Sequence, residues 1–407
     1  MTFDKKTIKD VPLHGKTILV RADYNVPLTK NGEISDDYRL RESLPTLKYL
    51  IKAGCKIIIC SHLGRPEGKV DPKFSLEPVA ERLSELLKEP VGFVPECVGD
   101  KVKVAVKHLR TGGVLLLENL RFHPQEEQND PEFAKKLSTS CGADYFVQDG
   151  FGVVHRAHAS TDVITQFLPS VAGLLLQKEV TTITHVVQNP KQPVVAVVGG
   201  AKIADKIKVL ERFIQIADHI IIGGAMANTF LKYKGLPIGQ SVYDDGEDAL
   251  ISKLYTQARK KVGDKVDEFL VLPTDVAVAT EIGPAKRRTT VSVHDVTEDE
   301  YILDMGSKST EAMLAIVKNA GTVIWSGTLG VAEYEAFAYA SAKLAHALAV
   351  QKHSTFSLIG GGDTVDFVLG WDSQKGDSFG LVSTGGSASL ELMAGETLPG
   401  VAALMDR

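Results

Sequence analysis

Lys202 and Lys206 stand four residues apart, just after an apolar run that ends in two glycines: Val194-Val-Ala-Val-Val-Gly-Gly-Ala-Lys-Ile-Ala-Asp-Lys206. The run reads as a buried strand and the glycines as a tight turn. Ile203, Ile207, Leu210 and Ile214 then read as the apolar face of a helix. Backbone N–H groups at such a helix start can face an anion. At a spacing of four, the two lysines are expected on one face of the first helical turn. Two ammonium groups beside the positive end of a helix dipole are unfavourable unless an anion lies with them, and a nucleotide phosphate chain is one such anion. A plain strand-to-helix connection with solvated lysines has the same pattern, so the rest of the chain has to decide.

The first half of the chain delivers arginines in a regular way. Arg21-Ala-Asp23-Tyr-Asn25 follows one strand-like run, Ser61-His62-Leu-Gly-Arg65-Pro66 the next, and Glu118-Asn-Leu-Arg121-Phe-His123 another. Gln148 to His158, which contains His155 and Arg156, follows a fourth, and Arg39 opens the first long helical pattern. One arginine after a strand is usually a surface salt bridge. Five of them with several histidines at the same edge of a sheet read as a basic bowl for a small, multiply anionic substrate, because guanidinium binds phosphate and carboxylate through a planar fork. A network of buried ion pairs is the structural alternative. In the second half the strand ends carry glycines instead: Gly199-Gly200, Gly223-Gly224, Gly327 with Gly330, Gly360-Gly361-Gly362-Asp363-Thr364, and Gly385-Gly386. Glycine allows close backbone approach, which suits N–H groups wrapped around phosphates. Asp363 is expected both to cap the next helix and to hold Mg²⁺, which takes one or two carboxylates together with phosphate oxygens.

The elements that must position these groups alternate. Strand-like runs at Thr17–Val20, Lys56–Cys60, Val114–Leu117 and Tyr145–Val147 are separated by helical patterns at Leu40–Ile51, Leu76–Leu87 and Pro131–Ser140. After a polar, proline-containing joint at Gln188 to Pro193, runs recur at Val194–Val198, His219–Ile222, Phe269–Leu272, Thr322–Trp325 and Thr355–Ile359. Strands that are apolar throughout, alternating with helices, predict parallel sheets covered on both faces. Ligands then gather beyond the carboxyl ends of the strands. Leu174–Val187 reads as one uninterrupted helix, and the joint after it is the best domain boundary in the chain.

Composition sets outer limits. The 407 residues suffice for two or three domains, 44% are apolar and 24% charged, and the net charge is −5; mean hydropathy is near zero. An acidic balance argues against nucleic acid as a partner. Cys55, Cys60, Cys97 and Cys141 form no Cys-x-x-Cys pair, which fits a reducing compartment. No apolar run approaches the length of a membrane span and the first residues are polar, so the expectation is a cytoplasmic protein with no membrane partner. Gly15-Lys16-Thr17 ends like a P-loop but leads into a strand, and Gly150-Phe-Gly152 lacks the third glycine of a dinucleotide fingerprint.

Taken together, Val20-Arg-Ala-Asp-Tyr-Asn-Val-Pro27, Ser61 to Pro66, Glu118 to His123, Asp149 to Thr161, Gly199 to Lys206, Gly360 to Thr364 and Ser383 to Glu391 resemble the phosphoglycerate kinase family, and the match runs through essentially the whole chain. The resemblance implies an α/β fold of two doubly wound parallel-sheet (Rossmann-like) domains facing a central cleft and joined by a long helix. Residues 1–172 would form the phosphoglycerate domain, 173–190 the helix and joint, and 191–390 the nucleotide domain, with the tail 391–407 packed back on the first. It implies reversible phosphoryl transfer between 1,3-bisphosphoglycerate with Mg·ADP and 3-phosphoglycerate with Mg·ATP. Asp23, Asn25, Arg39, His62, Arg65, Arg121 and Arg156 would hold the phosphoglycerate. Lys206, Glu333, Gly361, Gly362, Asp363 and Thr364 would hold the nucleotide, with Asp363 on the metal. Lys202 and Arg39 would meet the phosphoryl group in flight. A monomer with small-molecule partners is implied as well.

The chain departs from the family pattern in a few places. It has Trp325-Ser-Gly-Thr328 for Trp-Asn-Gly-Pro, Ala332 for a usual Phe before Glu333, Ala225 and Ser387 for glycines, and Gly150 for alanine. None removes a charge that the chemistry needs, so an active enzyme is expected, with nucleotide affinity and base choice the open quantities. The alternatives are a catalytically weak relative serving as a nucleotide- or anion-binding scaffold, and a kinase acting on another small carboxylate.

Overall fold

The structure, a computed structural model, describes residues 3–284 and 287–407. It divides into two compact units, Met1–Thr181 with Thr397–Arg407, and Thr182–Glu396. In the first unit the strands are β1 (Thr17–Arg21), β2 (Lys56–Cys60), β3 (Val91–Val94), β4 (Val114–Leu117), β5 (Tyr145–Gln148) and β6 (Ser170–Ala172), ordered β3-β4-β2-β1-β5-β6. Every pairing is parallel. Runs such as Lys-Ile-Ile-Ile-Cys are apolar at both parities because both faces of the sheet are covered. Ile57 and Ile59 enter one core cluster with Ile18 and Val20, while Ile58 and Cys60 enter the other with Leu19. That is the period of two expected when successive side chains leave a strand on opposite sides.

The second unit contains β7 (Val194–Val198), β8 (His219–Ile222), β9 (Leu270–Val271), β10 (Asp275–Ala279), β11 (Thr289–Ser292), β12 (Tyr301–Met305), β13 (Thr322–Ser326), β14 (Phe356–Gly360) and β15 (Leu381–Val382). Six of them form a parallel sheet ordered β15-β14-β13-β7-β8-β9. The fold is therefore α/β with two doubly wound parallel sheets, as the alternation of strand and helix patterns predicts. The strand order reverses between β7 and β13, which makes the crevice beyond these two strand ends the expected ligand position.

Two features differ from the sequence reading. Phe269 closes a short helix, Val266–Phe269, and only Leu270–Val271 is strand. The segment from Asp275 to Met305 adds an antiparallel sheet, ordered β11-β10-β12, that the alternation did not foresee. Among the described residues no helix is long and apolar enough to cross a membrane.

The helix Leu174–Gln188 starts against the end of β5. Asp149 Oδ1 accepts from Leu175 N at 3.0 Å and Leu176 N at 3.3 Å, and Thr46 Oγ1 accepts from Leu174 N at 2.9 Å. These side chains satisfy N–H groups that a helix start leaves unpaired. Gly173 permits this approach, since a Cβ there would run into the Asp149 carboxylate. Burial pushes the Asp149 carboxyl up to about 7, against the Thr46 side chain and the backbone donors of Leu176 and Leu175, and its Oδ2 has no hydrogen-bond partner. Because the folded value lies above the unfolded one, the stability this group contributes is present below pH ~4 and is lost as pH rises through about 7. Asp149→Asn keeps the acceptor and cannot ionise. It is expected to flatten the profile of Tm against pH between 4 and 7, and to raise Tm at pH 8 by roughly 5 °C. A variant profile parallel to that of the wild type in thermal unfolding contradicts this.

Candidate active site

The carboxyl ends of β1, β2, β4 and β5 gather the arginine-bearing segments of the first unit. Arg39, on the helix Tyr38–Lys52, pairs with Asp23. Asn25 Oδ1 accepts from Gly64 N at 2.8 Å, and Arg121 Nη1 donates to Gly64 O at 2.9 Å. Arg121 also lies 3.1 Å from Glu127. Arg156 Nε donates to His155 Nε2 at 3.1 Å. Arg65 is exposed. Among the described residues neither Arg65 nor Arg156 has a carboxylate partner, so two guanidinium charges at this edge remain unmatched. That is the electrostatic signature of an anion site.

The histidines of this edge are not cations. Burial and the neighbouring Arg21, Arg121 and Arg39 hold His62 well below its ordinary value, and burial with the same kind of neighbours brings His158 down to about 4. The positive bowl is therefore built from arginine alone. Arg21 Nη2 donates to His62 Nδ1 at 3.3 Å. Guanidinium has no acceptor, so Nδ1 must be the bare nitrogen and the ring carries its proton on Nε2. A neutral His62 with Nε2–H can still donate to an anionic oxygen.

Arg21 itself is 1% exposed and does not face a bowl. It donates to Ser160 Oγ at 2.8 Å and to Ala22 O, and lies 3.9 Å from Glu126. Glu126 in turn accepts from Ser160 Oγ at 2.6 Å and Ser160 N at 3.1 Å. For Arg21 the structural alternative of a buried ion-pair network holds, whereas the sequence reading had counted it among the five arginines of the bowl. An acid among other acids, Glu126-Glu127, gave no signal of burial.

In the second unit, β7 and β13 end side by side. Gly199 N donates to Ser326 O at 2.9 Å and Gly200 N to Thr328 O at 3.0 Å. Lys206 reaches back under this junction, donating to Gly199 O at 2.7 Å and Ser326 O at 2.9 Å. Burial depresses its ammonium to about 8, opposed by Asp363 and Asp205. The expected shared helical face of Lys202 and Lys206 does not form. Lys202 precedes the short 3₁₀ turn Ala204–Lys206, and the α-helix is Ile207–Ile216. The two lysines nonetheless border one pocket of about 610 Å³, together with Gly361, Gly362, Asp363, Thr364 and Ser387. Thr364 Oγ1 accepts from Gly327 N at 2.6 Å, which ties the glycine run after β14 to the end of β13. Asp363 lies in the first turn of the helix Gly362–Trp371; its cap is Gly361, so the expected capping role falls away. Ser387 likewise follows its cap, Gly386.

A second, more apolar cavity of about 230 Å³ shares Gly200, Ala201 and Asp363 with the first. Exposed Glu333 stands at its border, beside Val331. Its wall includes β12, with Asp304, which is 3% exposed. Asp304 accepts from Met305 N at 2.8 Å and Ala340 N at 3.2 Å, and Arg288 lies 3.5 Å away. Burial still pushes it up to about 7. The sequence reading missed this wall, although one acid inside Tyr-Ile-Leu-Asp-Met was a usable signal. The expected site residues thus form two groups, one at each sheet: Asp23, Asn25, Arg39, His62, Arg65, Arg121 and Arg156, and Lys202, Lys206, Glu333, Gly361, Gly362, Asp363 and Thr364.

Comparisons with known proteins agree with this construction. The phosphoglycerate kinase family model matches residues 8–396. A phosphoglycerate kinase of Desulfosudis oleivorans is 45% identical over 400 residues, covering 98% of each chain. One of Rippkaea orientalis is 46% identical over 393 residues, 96% of each. The structure of phosphoglycerate kinase from Coxiella burnetii superposes with a TM-score of 0.82 at 36% identity, covering 98% of both chains. With the arginine edge, the glycine-lined pocket and the two sheets all lying within the matched span, the chain belongs to the phosphoglycerate kinase family.

Proposed function

We propose that the arginine edge of the first unit holds the phosphoglycerate and that the glycine-lysine pocket of the second holds the nucleotide. The reaction is reversible phosphoryl transfer between 1,3-bisphosphoglycerate with ADP and 3-phosphoglycerate with ATP. The observation that carries this reading is the junction of β7 and β13. The Lys206 ammonium, seated on the carbonyls of Gly199 and Ser326, and the rim lysine Lys202 border one pocket there with the start of the helix Gly362–Trp371, next to the apolar cavity.

Phosphoryl transfer needs in-line positioning and charge neutralisation more than covalent help. On the substrate side Arg39, Arg65, Arg121 and Arg156 supply guanidinium charge. Asp23 orients Arg39, Asn25 fixes the Gly64 loop, and His62 donates through Nε2. On the nucleotide side Lys206, anchored by two carbonyls, holds a phosphate, while Gly361, Gly362 and Thr364 offer backbone N–H groups, and Glu333, at the border of the adjoining cavity, is assigned to the nucleotide. Lys202 on the nucleotide side and Arg39 on the phosphoglycerate side are the cations assigned to the migrating group. The acceptor is an anionic oxygen in either direction, so no general base is assigned.

Mg²⁺ fits this arrangement. Asp363 is one exposed carboxylate bordering the phosphate pocket. One carboxylate with nucleotide oxygens is the set this ion takes. Bound there by Asp363, it neutralises phosphate charge. A cytoplasmic monomer is part of the same proposal, on the family resemblance.

The test is ATP-dependent phosphorylation of 3-phosphoglycerate, coupled to NADH oxidation and followed against pH. Turnover that needs both substrates is expected. Because the Lys206 ammonium must be charged to bind phosphate and its value is about 8, kcat/KM for ATP should fall as pH rises past ~8. Lys206→Arg, which stays protonated, should remove that limb. Absence of turnover in a protein that binds both ligands would move the reading to a scaffold.

A further inference from the structure

Lys202 is held by its backbone alone. Its side chain makes no hydrogen bond or ion pair among the described residues, so the reach of its ammonium is set by the chain on either side. On one side Gly200 is fixed twice: its N–H donates to Thr328 O at 3.0 Å, and its carbonyl accepts from Met226 N at 2.9 Å. On the other side Ile203 opens the 3₁₀ turn Ala204–Lys206 and has no side chain able to cap it. The Ile203 N–H donates instead to Asp244 Oδ2 at 2.6 Å, a carboxylate 41 residues further along the chain. Asp244 lies in the loop between the helices Gly224–Tyr233 and Asp248–Val262, and that loop is itself tethered. The Asp244 N–H donates to Thr229 Oγ1 at 3.1 Å, and Val242 O accepts from Asn228 Nδ2 at 2.9 Å. Thr229 and Asn228 are adjacent on the first of these helices and 4% and 1% exposed. The carboxylate therefore reaches Ile203 from a fixed base.

A hydrogen bond from a backbone N–H to a carboxylate is charge-assisted, and about twice as strong as one between neutral groups. An ammonium on a flexible four-carbon stem gains direction only when the backbone beneath it is held. Take the carboxylate away, and Ala201 and Lys202 are tied firmly only at Gly200, with the buried Ile203 side chain as a weaker hold. The seat of the phosphates does not depend on this contact. Lys206 rests on Gly199 O and Ser326 O, and Thr364 on Gly327 N, whatever Asp244 does. We infer that Asp244 is a positioning residue for phosphoryl transfer, holding the backbone beside Lys202 so that its ammonium meets the group in flight. This rests on the assignment of Lys202 given above.

The experiment is a kinetic double-mutant cycle in the full chain, reading ATP-dependent phosphorylation of 3-phosphoglycerate. Asp244→Ala should lower kcat by about thirtyfold, with KM for either substrate changed by less than about threefold, because a misplaced group is felt mainly in the transition state. Asp244→Asn keeps an acceptor oxygen and should hold kcat within about threefold of the wild type. In a Lys202→Ala background, Asp244→Ala should cost less than about twofold further, since the group it positions is gone. Should Asp244→Ala fail to fold, Thr229→Val loosens the other end of the tether with a side chain of the same shape. It should lower kcat by about fivefold, and again only while Lys202 is present. Losses that multiply in the double variant, or a loss that appears in KM for ATP with kcat kept, overturn the inference. So does an unaltered kcat in Asp244→Ala beside a collapsed one in Lys202→Ala, which leaves the Lys202 assignment standing. A Lys202→Ala protein with full kcat overturns that assignment and this inference with it, and the two failures are thereby told apart.

Discussion

Replacing Lys202 by alanine lowers kcat for ATP-dependent phosphorylation of 3-phosphoglycerate by roughly a thousandfold, about 4 kcal/mol of transition-state stabilisation, while KM for ATP changes by less than about tenfold. The contrast with Lys206 is the reason. Lys206 is anchored to Gly199 O and Ser326 O, so its ammonium is fixed and meets a phosphate in ground and transition state alike. Lys202 is exposed, stands ahead of the first helical turn, and makes no hydrogen bond or ion pair among the described residues. It borders the same pocket as Asp363 and Lys206. An unanchored cation at the rim can follow charge that develops on a migrating group, and an interaction stronger in the transition state appears in kcat. Lys202→Arg keeps the charge and should recover part of the rate. A variant whose KM for ATP rises a hundredfold with kcat unchanged would make Lys202 an ordinary phosphate ligand.

The parallel sheets were legible because a strand buried on both faces must be apolar at every position, and Val194–Val198 and Lys56–Cys60 admit little else. The segments after the strands were legible for a similar reason, since chemistry concentrates beyond the carboxyl ends and leaves arginine or glycine there in sequence. Contacts that bring distant segments together were not legible. Nothing local says that Arg21 turns inward to Ser160, or that Lys206 folds back beneath β13. The spacing of Lys202 and Lys206 predicted a shared helical face, but the turn after Gly200 delays the helix to Ile207. Phe269–Leu272 misled because a helix end and a two-residue strand together look like one apolar run. Asp304 lies inside a strand, where a lone acid in an apolar run signals burial but not what it faces until the packing around it is known.

Gly199→Ala should abolish nucleotide binding, weakening it by more than about a hundredfold, and destabilise the second unit by about 3 kcal/mol. A Cβ at Gly199 would lie 2.9 Å from Gly327 O and closer still to Thr328 O, both of them backbone atoms. Neither can swing aside cheaply. Thr328 O accepts from Gly200 N, and the neighbouring Ser326 O accepts from both Gly199 N and Lys206 Nζ. Relief of the clash must therefore part the ends of β7 and β13, the two strands between which the sheet order reverses. That movement breaks the seat of Lys206 and opens the pocket that the phosphates would occupy. Gly370→Ala is the matched control: it lies inside the helix Gly362–Trp371 with nothing within 4 Å of an added methyl, and should be neutral or stabilise by about 0.5–1 kcal/mol. Denaturant unfolding measures both, and titration calorimetry with ATP and with 3-phosphoglycerate separates the units. Loss of ATP binding with 3-phosphoglycerate binding kept is the expected pattern, because the arginine edge is built from another sheet. Undiminished ATP affinity in Gly199→Ala would mean that the close approach of β7 and β13 is not what shapes the nucleotide site.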